Sequence, residues 1–289
     1  MRKRALVAIL APTAAAAVCA VLAVLAVPAH ASRTQTLIQG PVKALPPGGS
    51  FLSIVDLPQP PGASLGPHGH VPGFVYVLSG KATIVENGST MALNRGEGHF
   101  IPALAVHTHE NSDNRLPAGA LAVGLVVAVI VLLLVARFPR ARVVLLPVLL
   151  AALIAGGAVA LRDPWKNDWF FIGVRPESAR GAPMPIPSAA RTYESPEFSH
   201  VPPGPYVESL ATTTVDPHGQ VAVSKAPGPV VFLVLDGRAD VTVGNEAPVQ
   251  LGHHQATLVQ AGESSRVLNP SGKALRLLGF ALTPQRSSP

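Results

Sequence analysis

Three short segments recur in the same order in the second half of the chain. Leu45-Pro46-Pro47-Gly48 returns as Val201-Pro202-Pro203-Gly204, Phe74-Val75-Tyr76-Val77-Leu78-Ser79-Gly80 as Val231-Phe232-Leu233-Val234-Leu235-Asp236-Gly237, and Lys81-Ala82-Thr83-Ile84-Val85 as Arg238-Ala239-Asp240-Val241-Thr242. Self-similarity of this kind means two copies of one structural unit. Each copy consists of short Val, Ile, Leu and Thr runs broken by Pro and Gly, without sustained helical periodicity, and such runs read as strands. The expected fold is therefore all-β and duplicated.

The first copy is interrupted. After Asn269 the second copy passes through Pro270-Ser271-Gly272 into a final strand beginning at Ala274, whereas Asn111-Ser112-Asp113 leads into two uncharged stretches, Ala118 to Ala136 and Val143 to Leu161. Each is close to the ~20 residues that a helix needs to cross a bilayer. The matching final strand of the first copy, Trp169 to Pro176, comes only afterwards. The sequence predicts a transmembrane helical hairpin inserted in a loop of the first β-unit, an even number of crossings returning the chain to the side it left.

Charge placement sets the topology. Lys and Arg number 22 against 16 Asp and Glu, and charged residues make up only 13% of the chain, well below the roughly one quarter usual for a soluble globule. The triplets Arg2-Lys3-Arg4 and Arg137, Arg140, Arg142 together account for the whole net charge of +6, and both flank apolar runs. Such basicity is a membrane-orientation signal, with the hairpin turn in the cytoplasm, and nucleic acid is not an expected partner. The basic start, the apolar run Ala5 to Val27 and the small residues before Ser32 form an export signal, either cleaved after Ala31 or retained as an anchor. The lone Cys19 excludes an intramolecular disulfide. The expected partition is 1–31 signal or anchor, 32–117 first β-unit, 118–161 hairpin (118–136 and 143–161), 162–180 final strand of the first unit, and 181–289 second unit. Both units are expected outside the cytoplasm, with the lipid bilayer as a partner.

Histidines then mark one unit. His68 and His70 precede the Val-Tyr-Val-Leu-Ser-Gly strand and turn, and Gly96, Pro102, Leu104, His107 and Asn111 follow about one hairpin later. This order resembles the cupin superfamily, whose first motif reads Gly-x5-His-x-His-x3,4-Glu-x6-Gly and whose second reads Gly-x5-Pro-x-Gly-x2-His-x3-Asn. Leu104 stands where the second motif has Gly, and the first motif lacks its Glu. The resemblance implies two jelly-roll barrels, a bicupin, with a divalent metal (iron, manganese, nickel or zinc) held by His68, His70 and His107 in the first. Period-two alternation puts His68 and His70 on one strand face and His109 on the face of His107. His109 is then a fourth ligand or a group that orients the ligands. Neutral imidazole suits several transition metals.

The second unit lacks this set. Ser224-Lys225-Ala226 falls where His-x-His is expected and Ser265 where His107 stands, while Gln260, Gly262 and Asn269 keep the turn pattern. His99, His253 and His254 have no partner at ligand spacing and read as exposed loop residues. No nucleophile elbow, phosphate-binding glycine loop or dinucleotide fingerprint is present. Two functions remain: a membrane-tethered module binding a metal or an unidentified small ligand, and a metal-dependent oxidoreductase of the dioxygenase type. A metal-free structural bicupin and assembly into a homo-oligomer are both compatible with the sequence.

Overall fold

The computed structural model describes residues 32–60, 62–111, 118–138, 167–184, 186, 188–201 and 203–285, with positions 147 and 151. In the first half these form β1 (Ser32–Val42), β2 (Ser50–Gln59), β3 (Ser64–His68), β4 (Gly73–Ser79), β5 (Lys81–Glu86), β6 (Ser89–Asn94), β7 (Gly98–Ile101) and β8 (His107–Glu110). Helix α1 (Ala118–Arg137) is followed by β9 (Asn167–Pro176) and β10 (Ala190–Glu194). The second half adds β11 (Tyr206–Val215), β12 (Gln220–Val223), β13 (Val230–Asp236), β14 (Ala239–Val243), β15 (Val249–Leu251), β16 (Ala256–Val259), β17 (Ser265–Leu268) and β18 (Leu275–Pro284).

The strands make two barrels, each a five-stranded sheet closed by a four-stranded one. The first barrel combines β10-β2-β9-β4-β7 with β3-β8-β5-β6, and the second combines β1-β11-β18-β13-β16 with β12-β17-β14-β15. β9 lies beyond α1 in the chain yet pairs along its length with β2 and also with β4.

Sheet membership does not follow chain order. β1, at the start of the first half, pairs antiparallel with β11 from Ser32 opposite Val215 to Val42 opposite Tyr206, at the edge of the second barrel's sheet. In return β10 pairs with β2 at the edge of the first barrel's sheet. Each barrel thus borrows an edge strand from the other half, which covers an otherwise unpaired row of backbone groups. A cut at residue 181 would separate both strands from their sheets.

The large sheets face each other, and their central strands β4 and β13 are buried on both sides, which explains the continuous apolar runs. In β4, Phe74 and Tyr76 enter the core shared by the barrels, while Val75 and Val77 point into the first barrel. In β13, Val231, Leu233 and Leu235 enter the shared core, while Val230, Phe232 and Val234 fill the second barrel. Gly40 of β1 lies so close to the Phe100 ring that a Cβ there would overlap it.

The expected pair of membrane crossings is not supported at this level. No helix among the described residues is long and apolar enough to cross a membrane. Helix α1 spans 20 residues and leaves Val126, Ile130 and Leu133 exposed, but its side chains are described only in part. The second crossing, 143–161, falls almost wholly outside the described residues, and the export signal over 1–31 lies outside them altogether.

Candidate metal centre

Strand register brings the histidines together. His107 and His109 alternate into the interior of β8, both 1% exposed. His107 stands opposite His68 on β3 and opposite Glu86 on β5. His70 is not on the same strand as His68, as simple alternation suggests. β3 ends at His68 after a register shift, and His70 sits in the following loop, held by the Leu104 amide donating to its carbonyl oxygen (2.9 Å) and by the edge of the Phe171 ring (4.2 Å).

Leu104 explains how the loop facing His70 is shaped without the family's glycine. Its φ is 59°, in the left-handed region that a side chain ordinarily avoids, and the side chain is 79% exposed, where it meets no obstruction. Asn111 does the work expected of its motif position, its side-chain amide donating to the Gln59 carbonyl at 2.8 Å.

One nitrogen from each of His68, His70, His107 and His109 lies within 4.8 Å of the others. The hydrogen bonds fix three tautomers. Nδ1 of His68 is 2.8 Å from the Gly66 carbonyl oxygen, Nδ1 of His70 is 2.6 Å from that of Val71, and Nδ1 of His107 is 2.8 Å from that of Ala105. A carbonyl can only accept, so each Nδ1 carries the proton and each neutral ring offers its Nε2 lone pair. Nε2 of His70 and Nε2 of His107 are 3.2 Å apart. Two lone pairs at that distance repel unless a cation lies between them. Two imidazoles on one ion with bonds of ~2.0–2.1 Å hold their nitrogens ~2.9–3.4 Å apart. The donor set therefore fits a transition metal, and nitrogen donors suit zinc, iron or nickel better than magnesium or calcium.

Burial favours the neutral form of three of the rings. Desolvation lowers the pKa of His70 to about 4, despite its bond to Val71, and His107 is lowered for the same main reason. His109 is held well below its ordinary value, first by burial and then by the neighbouring histidines. Its ring stacks on Trp169 at 4.3 Å, and its Nδ1 is buried with no partner among the described residues. A buried ring nitrogen without a partner costs ~1–3 kcal/mol.

Other histidines stand elsewhere. His99 is no loop residue: it lies on β7 with Nε2 3.1 Å from Glu86, the carboxylate on β5 opposite His107. His253 and His254 stack on each other at 3.8 Å, and His254 packs on Phe170 at 5.0 Å, between the barrels. Beside the cluster opens a cavity of ≈ 580 Å³, lined by His68, His70 and His109 together with Trp169, Phe171 and Arg175. Arg175 was not singled out in the sequence, although a lone cation directly after the run Trp169 to Val174 is a visible signal.

The second barrel shows what stands in the same register. Ser265 lies opposite Val223 and Val243, as His107 lies opposite His68 and Glu86, and Val267 takes the place of His109. The register counterpart of His68 is thus Val223 rather than Ser224, while Ala226, whose carbonyl oxygen accepts from the Gly262 amide as that of His70 accepts from the Leu104 amide, keeps the place of His70.

The cupin domain family matches residues 58–124. The matched stretch holds all four clustered histidines and is under a quarter of the chain. No curated protein matches the chain. Among solved structures it is similar to AerE of Microcystis aeruginosa, with 13% identity, 86% of this chain and 98% of that one covered and a TM-score of 0.47. Oxalate decarboxylase of Bacillus subtilis, a structure concerned with its Mn(II) centres, aligns at 12% identity over 88% of this chain and 78% of that one, TM-score 0.46. A salicylate 1,2-dioxygenase of Pseudaminobacter salicylatoxidans aligns at 12% identity over 83% and 75%, TM-score 0.43. With TM-scores this low, these likenesses carry no statement about activity.

Proposed function

We propose that the first cupin barrel binds one divalent transition metal through His68, His70 and His107, with His109 as a fourth ligand or as an orienting group, and presents it to a small molecule in the adjoining cavity. The observation that carries this reading is the 3.2 Å separation of the His70 and His107 Nε2 atoms, each ring having its Nδ1 committed to a carbonyl. When bound, the metal would supply a Lewis acid beside the cavity. The chain's own residues hold the ligand rings in one tautomer, exclude water with Trp169 and Phe171, and shape the chamber.

The second barrel acts as a metal-free partner. The export signal, the apolar stretches and the basic turn support a chain tethered to the bilayer with both barrels on the extracytoplasmic side. A redox enzyme of the dioxygenase type is the second reading, favoured by the cavity lying directly against three of the four histidines. Substrate-dependent oxygen uptake that requires the metal would separate it from plain binding.

Metal content after expression with iron, manganese, nickel or zinc supplied tests the central claim. About one ion per chain is expected for the wild type and close to none for His107→Ala, because a two-donor remnant binds far more weakly. Negligible metal in the wild type, or full retention when His68, His70 and His107 are all replaced, sinks the reading.

A further inference from the structure

The cavity has a charge pattern that the metal does not explain. Val55 and Leu57 from β2, Leu65 from β3 and Trp169 and Phe171 from β9 make its wall apolar. Met184 and Ile186, in the segment between β9 and β10, also line it and pack on the core of the first barrel. At ≈ 580 Å³ it is of a size for a small organic molecule. Besides the histidines, Arg175 is the only titratable side chain among its lining residues.

β9 orients this wall. Trp169, Phe171 and Arg175 share a strand face by alternation. Trp169 stacks on His109 and Phe171 packs on His70, so that end of the strand marks the histidine cluster. Arg175 stands four residues beyond Phe171, ~13 Å along the strand, and lines the same chamber. The nearby carboxylates are engaged elsewhere, Glu177 by Arg180 and Glu194 by Arg191 at 3.0 Å. Among the described residues Arg175 forms no ion pair. A half-buried guanidinium facing apolar side chains is costly without a counter-charge, and its planar fork matches a carboxylate.

We propose that the first barrel takes a small organic carboxylate with an aromatic or branched apolar body, its acid group on Arg175 and its far end at the histidines. One guanidinium among apolar walls matches a monoanion, whereas a phosphate dianion needs further donors that the wall lacks. Only the placement of the far end rests on the metal reading; selection of the acid group at Arg175 does not.

The test is binding of phenylacetate and of its neutral amide, phenylacetamide, to the full chain, metal-loaded and metal-free, followed by calorimetry and by the fluorescence of the wall residue Trp169. Phenylacetate is expected to bind at least ~10-fold more tightly than the amide in both preparations, as a charge-assisted pair requires. Arg175→Gln should remove the preference with metal content unchanged, and Arg175→Lys should retain part of it. Equal binding of acid and amide by the wild type, binding of neither, or a preference that survives Arg175→Gln overturns the proposal. Negligible metal content together with an intact, Arg175-dependent preference sinks the metal reading and supports the carboxylate site.

Discussion

The two barrels share a backbone plan and differ in what they enclose. Gly80 and Gly237 both turn with positive φ after the β4 and β13 strands, and Gly96 and Gly262 do so at 84° and 83°. Asn111 and Asn269 both tie the chain after the last small-sheet strand to a large-sheet strand end, at Gln59 and at Val215. Inside, the first barrel places His68, His107 and His109 where the second has Val223, Ser265 and Val267. Positions that shape backbone tolerate few residue types, so both copies keep them. Interior positions answer to function or to packing, and the copies have parted there: buried imidazoles are costly, while Val, Leu and Phe in the second interior contribute ~1.5–3 kcal/mol each when fully buried.

Exchanging one register-matched pair is the strongest way to break this comparison. Val267→His should destabilise the protein by ~3 kcal/mol or more, because it forces a polar ring into a filled aliphatic interior. His109→Val should leave the metal-free protein as stable or more so, while weakening metal affinity ~10–100-fold if His109 orients the ligands and more if it is one. Thermal melts with and without metal check both. Similar destabilisation by the two substitutions would mean that the interiors do not differ as described.

A second measurement sharpens it through pH. Glu208 on β11 is fully buried between Tyr206 and Leu210 on the face turned to the shared core, with neither carboxylate oxygen partnered, and burial raises its pKa to about 8. A raised folded-state value means that its contribution is complete below the ordinary 4.5 and is lost as pH climbs through about 8. The histidines run the other way: with His70 lowered to about 4, the metal-free protein loses stability as pH falls from 6.5 towards that value. Glu208→Gln should therefore match the wild type near pH 4.5 and exceed it by ~2–4 kcal/mol at pH 8, read from denaturant midpoints. A constant difference across this range would show that Glu208 does not titrate in the fold.

The smallest effect concerns Leu104. Leu104→Gly should stabilise by ~0.5–1 kcal/mol, because it relieves a left-handed residue that buries little, and metal content should not change. Destabilisation would place Leu104 in a packing role.

The repeat, the strand-rich character and the four histidines were legible in the sequence because each leaves a local mark: apolar runs ended by Gly, or His residues at short spacing. The position of His70 was less so, since alternation assumes an unbroken strand and β3 ends at His68. The second copy was aligned through its turn residues, which left its β12 positions out of register, and only hydrogen-bonded pairing identifies Val223 as the counterpart of His68. The exchange of β1 and β10 leaves no mark at all, because partners so far apart in sequence impose no local period. Arg175 was visible, but a single cation gains meaning only when its neighbours along the strand are known to line a chamber.

That exchange also sets a schedule for the ribosome. The edge strand that begins at Ser32 is synthesised well before its opposite number, which is complete only at Val215. At ~5–20 residues per second, the interval is of the order of ten seconds or more. Throughout it β1 has no native place to go, whereas every strand of the first barrel has been made once the chain reaches Glu194. Only the second barrel has to wait, and whatever guards the nascent chain must keep β1 from pairing elsewhere, including on the finished first barrel, until then.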